Sequence, residues 1–360
     1  MKVLHVEAGR YLYGGAQQVV WLNEGLTRRG VENVLVCPLG SDIANAVGEN
    51  ARVHAIKMSG DLDLGLLPRL MRIMRDESPD LVHIHSRRGA DVYGGLAARL
   101  TGIPAILSRR VDNQESRLLA PVKYALYRRV IVISKAIGNV LESGGVNPLK
   151  IETVRSAVNA DAYDATTDSD WFRGEFSLPS EEKTLGVIAQ LIPRKGHKYL
   201  LNILPKLLAE HPQLQVLIFG QGPLRDELAH RVAQPEFEGR VRMVGFRDDL
   251  RRVFPNLYAV VHPAEREGLG VALLQASASG VPVVAARAGG IPEIVLDDVN
   301  GITFAIADEA ALLAALSGLL ESRELRDALG AGGRHLAGSE FSVDAMVEGN
   351  LRVYRSLLGA

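Results

Sequence analysis

Cysteine is nearly absent: the 360 residues hold one, Cys37, in the strand-like run VLVCPL. An internal disulfide is excluded, a reducing compartment fits, and a thiol with no marked partner reads as core. Long apolar runs are missing too. Crossing a bilayer takes about 18 consecutive apolar residues, and the richest stretch, ALLAALSGLL, is an ordinary helical segment. The start, MKVLHVEAGR, is too short in apolar residues for a secretory leader and reads as a first strand. The expected setting is cytoplasmic. Metal-ligand clusters are scarce as well. The Asp-rich stretches DLD at 61 to 63 and DD at 248 to 249 both sit in polar, loop-like contexts and read as solvated. His83 and His85 alternate along a strand end with no cysteine or histidine cluster to complete a coordination set, so no metal is expected. His85, at the carboxyl edge, reads as a site residue and His83 as a structural one.

Excess charge of one sign is lacking overall, at a net of -1, but the halves differ. Residues 1 to 160 carry 21 Lys+Arg against 15 Asp+Glu, and the remainder is acidic. This fits different surfaces for different partners.

At 47 % hydrophobic and 23 % charged, the chain has the composition of about two folded domains. Short β-branched runs (VLHV, NVLVCPL, LVHIHS, AILS, VIVIS) alternate with helical patterns, pause over a polar stretch, and resume with TLGVIAQ, LQVLIFG, VRMVG, YAVVHP and VPVVAA. That is the βαβ signature of parallel sheets. The expected fold is α/β, with two Rossmann-like, doubly wound domains facing a cleft. The expected boundaries are 1–163, a linker at 164–182, a second domain at 183–340, and a last helix, 341–360, crossing back over the junction.

Glycine marks the candidate sites. Gly14 and Gly15 separate the first strand from a helix, where backbone N–H groups can face an anion or simply make a tight turn. Gly220 and Gly222 form an incomplete dinucleotide fingerprint. Arg194 and Lys195 stand at a strand-to-helix loop, where two cations can neutralise a diphosphate. In EREGLGVALLQASASG, Gly268 and Gly270 let the backbone approach a phosphate before a helix start. Glu267, just before that turn, suits sugar hydroxyls, or is a helix-start carboxylate favoured by the dipole.

The ordered series GGAQ, VHIHS, VIVIS, RKGHKYLL, VLIFGQGPLRDEL, VRMVGF, EGLGVALLQASASGVPVVAARAGGIPEIV and NGITF resembles glycosyltransferase family 4, of the GT-B fold, over nearly the whole chain. The resemblance implies retaining, metal-independent transfer from a nucleotide sugar, which is a substrate, so no cofactor is expected. It also implies roles. Glu267 contacts the donor sugar. Gly268, Leu269 and Gly270 meet the diphosphate, and Lys195 with Arg194 stabilises the departing diphosphate. Gly14 and Gly15 approach the phosphate or the acceptor, and Gly245 and Phe246 lie near the base.

Three positions depart from the family pattern. Its second glutamate is Gln275, a neutral partner for ribose. The arginine usual after the first strand of the second domain is replaced at Gln190, with Arg194 as a substitute. Where many members carry a histidine, Arg109 and Arg110 stand, able to hold a phosphate or an anionic acceptor but not to act as a base. Asp112 is a further candidate there.

Residues 115 to 129, ESRLLAPVKYALYRR, combine Leu118, Leu119, Val122, Ala125 and Leu126 with Arg117, Lys123, Arg128 and Arg129. Read as a helix, this face could meet an anionic membrane or pack ordinarily, with Pro121 interrupting it. The expected partners are therefore a nucleotide sugar and a glycan or lipid-linked acceptor, as in lipopolysaccharide or cell-envelope synthesis, with peripheral membrane contact and no nucleic acid. A non-catalytic GT-B binding protein is the competing reading. A nicotinamide enzyme fails because the Gly220 motif does not sit in the first βα unit.

Overall fold

The structure, a computed structural model, describes residues 1–12, 14–87, 89–163, 166–179 and 183–359. It divides into two compact units: Met1–Ala157 together with the chain from Val343 onward, and Val158–Ser342.

The first unit is built on seven parallel strands: β1 (Lys2–Val6), β2 (Glu32–Pro38), β3 (Arg52–Ile56), β4 (Leu81–Ile84), β5 (Ala105–Arg109), β6 (Arg129–Val132) and β7 (Ile151–Thr153). Their order is β3-β2-β1-β4-β5-β6-β7. The inner strands are buried along nearly their whole length, as expected for Val- and Ile-rich strands covered by helices on both faces. After β3 the chain returns to the other side of β1. This reversal between β1 and β4 leaves a crevice at the strands' carboxyl ends, where ligands of doubly wound sheets bind.

The second unit repeats the plan with six parallel strands: β8 (Lys183–Ile188), β9 (Leu214–Phe219), β10 (Val241–Gly245), β11 (Ala259–His262), β12 (Val283–Ala286) and β13 (Gly301–Phe304). The order β10-β9-β8-β11-β12-β13 puts its reversal between β8 and β11. Its core joins strand residues such as Val187, Val216 and Val261 to helix residues such as Leu204 and Leu316.

Two details differ from the sequence reading, and the last helix follows it. Within the stretch read as a linker, Ser169–Phe176 forms a helix capped by Asp168, whose side chain accepts from Trp171 N at 3.2 Å. Phe172 and Phe176 of this helix are buried. Residues 164, 165 and 180–182 of the expected linker lie outside the described residues. The last helix, Val343–Leu358, returns to the first unit, as the sequence reading expects. A Cβ on Gly25 of the helix Gly14–Thr27 would lie 2.4 Å from Val347, so glycine is what lets these two helices close. Finally, only Ala120–Ala125 of the basic stretch at 115 to 129 is helical, with Pro121 in the first turn that proline tolerates. Pro121 therefore opens a short helix instead of interrupting a long one. No described helix is long and apolar enough to cross a membrane.

Candidate active site

In the second unit the reversal point gathers three side chains from two loops. Lys195 ends the 3-10 turn Pro193–Lys195 after β8, and His262 is the last residue of β11, five before Glu267. The loops are locked together. Gly196 has φ +69°, and a Cβ there would lie 1.9 Å from Pro263 O, so only glycine fits. Glu265 N donates to Arg194 O at 2.9 Å, and Tyr199 OH donates to Glu265 Oε1 at 2.6 Å.

This brings the Glu267 carboxylate against three donors: Lys195 Nζ, His262 Nε2 at 2.9 Å and its neighbour Gly268 N at 3.1 Å. Burial alone would raise the Glu267 pKa, but the His262 hydrogen bond and the Lys195 charge outweigh it and hold it at about 2. His262 is itself pushed below the ordinary histidine value, chiefly by burial, although Glu267 pulls it upward. Its Nδ1 is buried without a partner, which fits a neutral ring donating through Nε2. His197 is likewise buried and pushed down to about 4 by desolvation.

Next along the chain, Gly268 and Leu269 are buried and Gly270, at φ +97°, opens the helix Val271–Ala278. Gln275 lies on this helix, half-buried, with no side-chain hydrogen bond among the described residues. Gly245, at φ +92°, ends the edge strand β10, and Phe246 beside it is 57 % exposed. The glycines of the partial dinucleotide motif have a packing role. A Cβ on Gly220 would lie 1.9 Å from Ala189 O, and one on Gly222 2.4 Å from Leu191 O.

In the first unit the reversal point gathers a different set. A pocket of ≈ 300 Å³ is lined by Glu7, Gly15, His85 and Arg110 among others. Gly14 opens the helix Gly14–Thr27, and a Cβ on it would meet nothing within 4 Å. Arg110 and Gly15 thus share this unit, while Glu267, Lys195 and Arg194 belong to the other. Arg109 and Arg110 separate by strand alternation. Arg109 is buried and bound to Glu115 at 3.2 Å and Asn113 O at 2.7 Å. Lys123, read as part of a basic face, joins the same network through Glu115 and Asp91. Asp112 sits half-buried on the adjoining loop.

His83 and His85 do acquire a third histidine, contrary to the sequence reading. His5 on β1 brings the three rings together, with ligand atoms within 4.8 Å of one another. Their nitrogens are already engaged. His83 Nδ1 pairs with Tyr354 OH at 2.6 Å and Nε2 with Ser108 Oγ at 2.8 Å. His5 Nδ1 meets His85 Nε2 at 2.9 Å, and His5 Nε2 meets Asn33 Oδ1 at 3.2 Å. The cluster is organised as a hydrogen-bond network.

Known families match both units. Residues 13–162 match the model described as Glycosyltransferase Family 4, and residues 168–336 match that described as Glycosyl transferases group 1. The chain belongs to glycosyltransferase family 4. It is similar to the sulfoquinovosyl transferase SQD2 of Arabidopsis thaliana, 28 % identical over 293 residues, covering 76 % of this chain and 56 % of that protein. It thus spans little more than half of that relative. It is also similar to the lipopolysaccharide core biosynthesis glycosyltransferase LpsE of Rhizobium meliloti, 24 % identical over 359 residues and 99 % of each chain. Among solved structures, Anabaena Alr3699/HepE in complex with UDP matches with a TM-score of 0.84 at 20 % identity, over 99 % of this chain and 100 % of that one. The fold is GT-B.

Within this family framework, sequence reasoning missed His262 and His5. A histidine closing an apolar strand looks like core, and the one available signal was its place at a strand's carboxyl end beside a reversal point.

Proposed function

We propose that this glycosyltransferase retains configuration while moving a sugar from a nucleotide-sugar donor to a saccharide of a cell-envelope glycan, without a catalytic metal. The observation that carries the reading is the half-buried Glu267 carboxylate, kept ionised by Lys195 and His262 immediately before the Gly268–Gly270 turn and a helix start. A carboxylate offers about four lone-pair sites, and three donors already use this one, leaving room for a sugar hydroxyl. The diphosphate then draws Lys195 and Arg194, and the backbone N–H groups of the turn share its charge. As the bond to the leaving phosphate lengthens, its negative charge grows, so these preorganised donors act most strongly in the transition state. The leaving phosphate takes the acceptor proton.

HepE was solved with UDP-glucose, which supports a nucleoside diphosphate sugar as donor. The exposure of Phe246 at the end of β10 supports it as a ring on which the base would stack. The name of LpsE supports lipopolysaccharide or a related glycan as acceptor. Leu118, Leu119 and Val122 are 84 %, 71 % and 69 % exposed, which supports peripheral contact with the inner face of the cytoplasmic membrane.

Calorimetry with UDP-, GDP-, ADP- and CMP-sugars, alongside slow donor hydrolysis, tests the reading. One donor is expected to bind and be hydrolysed, and Glu267→Ala to abolish hydrolysis. No binding at millimolar concentration, or hydrolysis indifferent to Glu267→Ala, would overturn it.

A further inference from the structure

A single hydrogen-bond chain runs across four adjacent strands of the first unit, from Asn33 on β2 through His5 on β1 and His85 after β4 to Arg110 after β5. Its protons can be assigned. The Asn33 amide nitrogen donates to Thr27 Oγ1 at 2.9 Å and to the carbonyls of Asn23 and Asn50 at 3.1 and 3.2 Å. Asn33 Oδ1 is therefore the atom facing His5, and it can only accept, so His5 Nε2 carries the proton. Burial pushes His5 down to about 4, and the ring is neutral at pH 7. Its Nδ1 is then a bare acceptor, and His85 Nε2 must donate to it. His85, held well below the ordinary value by burial and neighbouring positive charge, is neutral too. Its Nδ1 lone pair is left facing Arg110 Nη2 at 3.5 Å.

Arg110 is the member without an ion pair. Its Nε is buried with no partner, and among the described residues it forms no ion pair, its one hydrogen bond being to His85. Arg109, the buried guanidinium that also lines this pocket, is bound to Glu115, and the exposed Arg87 reaches Asn113 at 3.1 Å. Glu7, the one carboxylate lining the pocket, takes Gly9 N at 2.7 Å; its charge favours the guanidinium, but it lies outside ion-pair distance of Arg110. A guanidinium withdrawn from water without a carboxylate is expensive unless an anion arrives, and its fork matches phosphate or carboxylate.

We propose that this pocket binds the oxyanion of an anionic acceptor through Arg110, with His85 as the positioning residue that aims the guanidinium. The word acceptor rests on the transferase reading; the anion site does not.

The test uses glycerol 3-phosphate and succinate as probes for calorimetry on the full chain without donor. One of them is expected to bind, and which one distinguishes a phosphate from a carboxylate acceptor. Arg110→Gln should weaken that binding at least tenfold, and Arg110→Lys, which keeps charge but loses the fork, by several-fold. His85→Asn, with an acceptor near the Nδ1 position, should hold binding within a few-fold where His85→Gln does not. On the unaltered protein, imidazole ¹⁵N shifts should report the Nε2–H tautomer for both His5 and His85. Neither probe binding, binding indifferent to Arg110→Gln, or an Nδ1–H tautomer at His85 would overturn the proposal and leave the transferase reading standing. If Arg110→Gln weakens the nucleotide sugar instead of the probe, the arginine belongs to the donor and the acceptor proposal fails. Loss of donor hydrolysis in the Glu267→Ala control is a separate readout, so the two readings fail separately.

Discussion

The two units place opposite electrostatic problems at equivalent points of the same topology. At the β8/β11 reversal a half-buried anion, Glu267, is answered by Lys195, His262 and a backbone N–H. At the β1/β4 reversal a half-buried cation, Arg110, has a hydrogen bond to a neutral histidine and, among the described residues, no ion pair, with Glu7 acting on it only at a distance. A compensated cluster is stable as it stands and must be loosened by its ligand, whereas one without an ion pair gains its missing partner from the ligand. The fold supplies the crevice twice, and the side chains decide that one half is preorganised and the other is waiting.

The largest effect should come from breaking the compensated side. Glu267→Ala is expected to lower donor hydrolysis by about 10²-fold or more, the scale of removing a group aimed at developing charge. Glycerol 3-phosphate or succinate binding by the first unit should stay unchanged. A parallel loss of both would mean the two sites are not separate.

Glycines sharpen the contrast. Gly196→Ala puts a Cβ at a left-handed φ and 1.9 Å from Pro263 O, so about 2–3 kcal/mol of stability should be lost. Gly15→Ala meets only Arg110 Cδ at 3.7 Å, and chemical denaturation should detect almost no change. If that backbone is kept open for a ligand, anion binding will suffer while the fold does not.

How much of this was legible depends on burial. β1, β4, β5, β9 and β11 announced themselves because both faces are covered, which forces continuous Val, Ile and Leu. β3 and β7 did not, since edge strands such as RVHAI and IET keep exposed polar residues and lose the pattern. Glu267 and Lys195 were each legible as candidates, but their contact was not, because 72 residues separate them and no local spacing encodes it. Arg109 and Arg110 were indistinguishable as neighbours in a string. Strand alternation sends one into an ion pair and the other to His85, and that depends on where β5 ends.

Acid should separate the units next. A histidine whose folded pKa is depressed binds its proton first in the unfolded state, so its contribution to stability is whole above about 6.5 and is lost as pH falls through the folded value. His5, His83 and His85 all lie in the first unit, and His197 and His262 in the second. Each contributes a slope of at most about 1.4 kcal/mol per pH unit. Glu267 adds its loss only between about 4.5 and about 2. The chain's two tryptophans divide between the units, Trp21 in the first and Trp171 in the second. Single-tryptophan variants followed by fluorescence between pH 7 and 4 should show Trp21 unfolding at the higher pH. Coincident transitions would mean that one unit does not unfold without the other.

The smallest effect asks whether the compensated side can hold one more anion. Gln275 is half-buried on the helix Val271–Ala278, at the place where the family carries its second glutamate. A carboxylate accepts ribose hydroxyls more strongly than an amide, by on the order of 1 kcal/mol, or about fivefold in affinity. On the proposed reading the same charge opposes a diphosphate one turn away at the helix start. Gln275→Glu should therefore tighten a bare nucleoside by about that factor and its diphosphate by less, as calorimetry with the preferred base would show. Equal tightening of both would mean that Lys195 and Arg194 already screen the phosphates from this position. No change in either would place the ribose away from Gln275, and the residue would then be a surface position on a helix whose work is done at its other end.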